Sequence, residues 1–183
     1  AKPEITRSEA LSLTALPGHC GIRTRSVAIL VDDGVDGKAV ATAQAALQAA
    51  GAKVHLIAPR LGPVKPASGG PFEATATLEN SPAVLFDGLV LPEGAAGLAA
   101  DCVRIEVLDF ISNQYRHGKT LLALGASKDL LEQAGVAFKL SNGEDDPGVL
   151  LGTAAKAKPA VVDFIAALGR HRHPEREASA LTC

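Results

Sequence analysis

The chain has 183 residues, 47% of them hydrophobic and 21% charged, with a net charge of −2. That length suits a single domain, which at this size buries roughly 70% of its unfolded surface and folds without staples. The near-neutral balance excludes a basic field for nucleic acid or anionic lipid, and no apolar run approaches the ~20 residues of a membrane helix.

Residues 1–25 are weakly patterned, with a turn at Pro17-Gly18, and read as an arriving linker. The opening AKPEITRSEA carries neither Met nor the apolar stretch of a signal peptide, which reads as a fragment or a processed product. Periodicity begins at Ser26-Val27-Ala28-Ile29-Leu30-Val31. A short, continuous apolar run of this kind marks a strand buried on both faces, as in a parallel sheet. A helix is predicted over about 37–50, with Val40, Ala43, Leu47 and Ala50 on one face and Gly51 as its stop. Val54–Ala58 is the second strand, which completes a β-α-β unit.

Residues 59–82 break the rhythm with prolines and glycines, and the alternation in Phe72-Glu73-Ala74-Thr75-Ala76-Thr77-Leu78 predicts an exposed hairpin or edge arm. Gly88–Leu91 resumes the buried sheet and Pro92-Glu93-Gly94 turns it. A long helix over about 98–117 places Val103, Val107, Phe110, Ile111 and Gln114 on one side, and Gly118 ends it. Lys119–Leu124 is the next buried strand, followed by Gly125-Ala126-Ser127 and a short helix ending near Gly135, with Ser127 as its N-cap. One or two short strands are predicted, around 136–140 and 149–151. The last helix spans about Pro159 to Leu168, with Pro159 near its first position and Gly169 as its stop. Residues 171–183 read as a polar, mobile tail.

Strands alternating with helices predict a doubly wound, mostly parallel α/β sandwich of flavodoxin-like type over 26–170. Ligands of such sheets bind beyond the carboxyl ends of the strands, so the candidate loops are 32–37, 92–97 and 125–128. Phosphate is excluded from the first: Asp32, Asp33 and Asp36 put negative charge where a phosphate would sit, and no G-x-G-x-x-G fingerprint is present. No flavin or nicotinamide cofactor is therefore expected. No metal is expected either, since His171 and His173 stand next to Arg170 and Arg172 without a third ligand and read as solvated tail residues. Cys20, Cys102 and Cys183 are odd in number and match no zinc spacing, so they are expected to be free thiols and small fillers.

The order strand, acidic loop, helix, LVLPEG, long helix, LLALGAS resembles the intracellular-protease and class I glutamine-amidotransferase-like superfamily over about 26–135. That resemblance implies an acidic side chain from the first loop, for which Asp36 is the best match, facing a Cys at a strained strand-to-helix elbow that exposes and activates the thiolate. Here the elbow falls after Leu121–Leu124, on Gly125 and Ala126, and neither carries a nucleophile or a base. A degenerate site is thus expected among Asp36, Pro92, Glu93, Gly94, Gly125 and Ala126, with Asp36 reduced to a loop or cap carboxylate.

A second resemblance spans nearly the whole chain. LSLTALPGHCGIRTRSVAILVDDGVDG, the arm LGPVKPASGGPFEATATLENSPAVLFDGLVLPEG and the closing DPGVLLG, in that order, resemble the C-terminal domain of large-subunit haem catalases. The resemblance implies a tetrameric parent that disproportionates hydrogen peroxide at a haem held by a proximal Tyr, with this chain as a non-catalytic addition to the haem domain. The parent's proximal Tyr follows an Arg by four residues, whereas the only tyrosine here, Tyr115, follows Ile111 at that spacing. A stabilising role, and a chaperone-like action on unfolding client proteins, are the functions it suggests. The alternative is a stand-alone amidotransferase-like hydrolase or glyoxalase relying on Asp36 and Cys102.

Overall fold

The computed structural model describes residues 21–94, 98 and 103–176. The elements run β1 Ser26–Leu30, α1 Gly37–Ala49, β2 Lys53–Ala58, β3 Gly62–Val64, β4 Phe72–Ala74, β5 Ala76–Thr77, β6 Gly88–Leu91, α2 Arg104–Arg116, β7 Thr120–Leu124, α3 Lys128–Gln133, β8 Val149–Gly152 and α4 Ala157–Gly169. Six strands form one sheet in the order β5-β2-β1-β6-β7-β8, and every pairing within it is parallel. The strand order reverses at β1, the arrangement of a doubly wound sheet.

The central strands are apolar throughout because both of their faces are covered. Val27, Ile29, Val90, Leu122 and Leu124 point to one side, where they pack with Val40 and Leu47 of α1 and Val161 and Phe164 of α4. Ala28, Leu30, Leu89, Leu91, Leu121 and Ala123 point to the other, against Val107, Phe110 and Ile111 of α2 and Leu130 and Leu131 of α3. Residues alternating along a strand thus feed two separate cores, as the two-residue period requires. Among the described residues no helix is long and apolar enough to cross a membrane.

The arm forms in two parts. β3 and β4 make an antiparallel ribbon, while β5 joins the edge of the main sheet beside β2. Thr75 divides them: its N–H and its hydroxyl both donate to the Leu56 carbonyl, at 2.8 and 3.1 Å, and its Oγ1 accepts from the Leu56 N–H at 2.9 Å. The single alternating stretch of the sequence is therefore two short strands.

Several expectations are corrected. No strand forms over 136–140; the segment is a loop with one antiparallel bridge, Lys139 to Asp145, because Asn142-Gly143 turns the chain before a ladder can extend. Pro159 is the third residue of α4, behind the N-cap Lys156, where the absence of a backbone N–H is still harmless. Gly169 lies inside that helix and Arg170 is its C-cap. The left-handed position beyond the cap falls on His171, with φ +73°, and its N–H donates to the Leu168 carbonyl at 3.0 Å. The other three helices fill that place with Gly51, Gly118 and Gly135, at φ +87°, +66° and +76°. A side chain there costs roughly 1–2 kcal/mol.

The two ends of the domain also differ from expectation. Residues 21–25, assigned to the linker, pack on the body: Ile22 is buried and the Thr24 N–H donates to the Gly51 carbonyl at 2.8 Å. Residues 171–176, assigned to a mobile tail, fold back under β7. The His173 N–H donates to the Gly118 carbonyl at 2.8 Å, and His173 is fully buried beside Thr120, whose Oγ1 lies 2.9 Å from His173 Nε2. The Arg176 guanidinium makes a fork with the buried Asp146 carboxylate at 2.5 and 3.1 Å, and donates to the carbonyls of Tyr115 and Lys119 at 3.1 and 2.8 Å. Gly148 permits this: any side chain there would collide with the His173 ring and the Arg176 guanidinium.

Candidate functional site

The carboxyl ends of β1, β6 and β7 bring the three predicted loops together. The Asp36 N–H donates to the Glu93 carbonyl at 2.8 Å. Gly94 sits against the first loop so closely that an added Cβ would lie 2.6 Å from the Gly34 carbonyl oxygen. The Ser127 hydroxyl donates to the Pro92 carbonyl at 2.5 Å. Asp36, Pro92, Glu93, Gly94 and Gly125 are therefore packed together at one end of the sheet, and Ala126 is exposed beside them.

The backbone bends sharply where β7 ends. Gly125 has φ +59°, in the left-handed region that a strand-to-helix elbow demands of its nucleophile. Its missing side chain is replaced in space by the carboxyl group of Glu93: a Cβ on Gly125 would lie 2.6 and 2.7 Å from the two carboxylate oxygens. Glu93 Oε2 also accepts from the Ala154 N–H at 3.3 Å, at the start of the 3-10 turn that leads into α4. A carboxylate from the end of β6 thus fills the space beside Gly125 and reaches the turn before α4.

Asp36 has a different task. Its carboxylate caps α1, accepting from the N–H groups of Lys38 and Ala39 at 3.0 and 3.3 Å, and it accepts from the Ser68 hydroxyl. The Ser68 hydrogen bond, then the two helical amides, hold its pKa below the usual carboxylate range against the opposing effect of burial. It is the cap carboxylate anticipated. Ser127 is not the side-chain cap of α3 that was expected; it stands at the N-cap position, but its hydroxyl is spent on Pro92, which ties the elbow to the β6 turn. Cys20, Cys102 and Cys183 lie outside the described residues. Asp32 and Asp33, further along the edge, border a cavity of about 270 Å³ with Arg60. One Asp33 oxygen there accepts from the Lys65 N–H at 2.8 Å.

Sequence reasoning chose the loops by topology but missed what fills them. Glu93 was named as one of several turn residues, and nothing local announces that its side chain reaches Gly125 and Ala154. The sole available signal was a Glu between Pro92 and Gly94, where a turn needs no side chain at all.

Tyr115, the one tyrosine of the chain, is not suited to hold a haem. The ring of Tyr115 is covered by the Arg176 guanidinium, 4.5 Å from its centroid. Burial first, and the Asp146 charge second, push the phenol pKa up, which opposes the phenolate that an axial ligand must supply.

The C-terminal domain found in long catalases matches residues 23–178. A catalase HPII of Pseudomonas putida is 34% identical over 177 residues, covering 97% of this chain and 23% of that enzyme. A catalase HPII of Pseudomonas aeruginosa is 35% identical over 179 residues, covering 97% of this chain and 24% of the enzyme. The chain therefore spans about a quarter of the length of these curated relatives. Among solved structures, a two-domain protein of Anabaena variabilis containing DJ-1/ThiJ/PfpI-like and ferritin-like domains superposes with a TM-score of 0.68 at 19% identity, over 80% of this chain and 48% of that one. A ThiJ/PfpI domain protein of Brachyspira murdochii gives 0.64 at 12% identity, over 81% of this chain and 98% of that one. These two likenesses establish the fold, and the first three establish the family: the chain belongs to the C-terminal domains of long catalases.

Proposed function

We propose that this chain is a non-catalytic accessory domain of a hydrogen-peroxide-decomposing haem catalase, joined to the haem domain of the same polypeptide in a homotetramer, and that it stabilises that enzyme. The observation that carries the reading is the elbow. Gly125 keeps the backbone of a nucleophile position and has no side chain, and the Glu93 carboxylate fills the space a thiol would need. A carboxylate held against an amide is a poor place to generate a thiolate or to bind an acyl oxyanion, since both carry the same sign of charge. For the same reason the stand-alone hydrolase or glyoxalase is the weaker reading.

The test is oxygen evolution from peroxide by the longer catalase, by the same enzyme with this domain removed, and by the chain alone. The chain alone is expected to be inert. The trimmed enzyme is expected to keep its turnover when cold and to lose it faster on heating. Equal heat tolerance of the trimmed and intact enzymes would remove the stabilising role. Peroxide turnover by the chain alone would remove the accessory reading.

The chaperone-like role is the finer part of the proposal. Support for it comes from Leu61 in the arm and Val84 and Leu85 before β6, which are 63%, 71% and 58% exposed, because holding an unfolding client requires accessible apolar surface. Addition of the chain to a heat-aggregating client enzyme is expected to lower light scattering. Scattering unchanged at equimolar chain would refute it.

A further inference from the structure

The amino ends of the strands hold a second concavity, unrelated to the elbow. It is a cleft of about 260 Å³ lined by Val84, Asp87, His117, Lys119, His171 and Arg172. Lys119 forms its floor. Its residue is buried, and its ammonium donates to the carbonyls of Ala83 and Val84 at 3.1 and 3.3 Å and to that of Phe86. Those partners are neutral, and among the described residues Lys119 makes no ion pair. Arg172 stands at the rim, exposed, with its Nη1 donating to the His117 carbonyl at 3.1 Å. Arg25 stands behind this lining, 3.4 Å from Asp87, and also donates to Nδ1 of His171. That hydrogen bond fixes the imidazole tautomer: Nδ1 accepts, so the proton of the neutral ring is on Nε2.

Charges do not balance here. Lys119, Arg172 and Arg25 are opposed by Asp87 alone, before either histidine is counted. The backbone is also unusual at this place. Thr24 and His171 are the two residues other than glycine with positive φ among those described, at +68° and +73°. One adjoins Arg25 and the other lines the cleft. α4 ends on His171 where the other three helices end on glycine, so the chain tolerates strain to hold an imidazole at this spot. Strained residues of this kind concentrate where geometry serves a ligand.

We propose that this cleft is an oxyanion site, taking a carboxylate or phosphate group, with Arg172 and the Nε2–H of His171 as its donors and Lys119 as its buried charge. The guanidinium and imidazole donate to an anion's oxygens, while the ammonium beneath adds field in a place water reaches poorly. The site lies at the opposite end of the sheet from the elbow and does not depend on the accessory-domain reading.

The test is titration of inorganic phosphate into the full 183-residue chain at constant ionic strength, following the ring signals of His117 and His171 by NMR. Saturable shifts of both are expected. Arg172→Gln is expected to weaken the affinity by about tenfold, the loss of one charge-assisted hydrogen bond. His171→Asn keeps a residue suited to left-handed backbone, so the fold is retained while a donor is lost, and it is expected to weaken binding as well. A short polyglutamate peptide is the second arm. Saturation by the peptide at lower concentration than phosphate assigns the site to a carboxylate-bearing chain, and saturation by phosphate alone assigns it to a free anion; both support an oxyanion site. Shifts that chloride reproduces at the same ionic strength, or that are unchanged in Arg172→Gln, would overturn it.

Discussion

At the carboxyl ends of the strands, where this fold ordinarily keeps its chemistry, the charged groups are quiet. Asp36 caps a helix, and Glu93 fills the space beside Gly125. At the amino ends, where the fold ordinarily keeps only turns, lie the buried charges: the Arg176–Asp146 fork, the enclosed His173 and the Lys119 floor. The contrast teaches that in this sandwich the carboxylates at the carboxyl ends cap and fill, while the buried ionic structure gathers at the other end. The first end is held by hydrogen bonds between loops, most of them from a side chain to the backbone. The second is held by ionic and polar side chains that must all be satisfied together.

The contrast can be broken most forcefully at Arg176. Arg176→Met removes the fork and leaves the Asp146 carboxylate, wholly buried, without its counter-charge. A loss of about 3–5 kcal/mol is expected for breaking a buried pair from one side, read by urea denaturation at pH 7. A loss no larger than that of a surface pair such as Lys128–Glu132 would mean that the segment 170–176 does not close the amino end.

Next in size is the acid response of His173. Burial, then the positive charges of Arg176 and Arg170, push its pKa down to about 4 from the usual 6.5, with Asp146 and Glu175 opposing. One ring nitrogen, Nδ1, is buried without a partner. The unfolded chain therefore takes up a proton near pH 6.5 that the folded chain refuses until about pH 4. Stability from this residue is full above the upper value and is lost progressively as pH falls between the two. The total is about 3 kcal/mol. A pH series of unfolding free energies should show that slope in the native chain and a flatter one in His173→Gln. Parallel slopes would contradict the assignment.

Smallest is the cap at the carboxyl end. Asp36→Ala is expected to cost about 1 kcal/mol, as for other N-cap carboxylates. Since its pKa is depressed in the fold, that contribution is present at neutral pH and disappears as acid protonates the group. Thermal unfolding at pH 7 and at acid pH measures both parts. An effect several times larger would indicate a role beyond capping.

Much of this architecture was legible in the residues. VAILV, LVL and LLAL read as buried parallel strands because two covered faces leave no polar alternation to hide behind, and Gly51, Gly118 and Gly135 marked the helix ends they occupy. The convergence of Asp36, Glu93 and Gly125 followed from topology, since all three stand at the carboxyl ends of neighbouring strands. What could not be read was set by distant pairs. VAF at 136–138 is apolar enough for a strand, but the turn at Asn142-Gly143 leaves it only a single bridge, at Lys139. The polarity of RHRHPER suggested solvent, yet its partners Asp146, Gly148 and Thr120 lie elsewhere in the sequence, and only the folded sheet brings them beneath it. Glu93 was similarly opaque, because its reach to Gly125 depends on how the β6 turn is pinned by Asp36 and Ser127.

The measurement that bears most directly on the filled elbow is a double-mutant cycle between Gly125 and Glu93. Gly125→Ala places a methyl group against the Glu93 carboxylate on a left-handed backbone, and should destabilise the chain by about 1–3 kcal/mol. Glu93→Ala in the same chain removes the carboxyl group, and the account predicts that most of the packing part of that cost vanishes, giving a coupling energy well above about 0.5 kcal/mol. Additive effects, with Gly125→Ala equally costly in both backgrounds, would show that the carboxylate does not occupy the elbow and that the site has to be described anew.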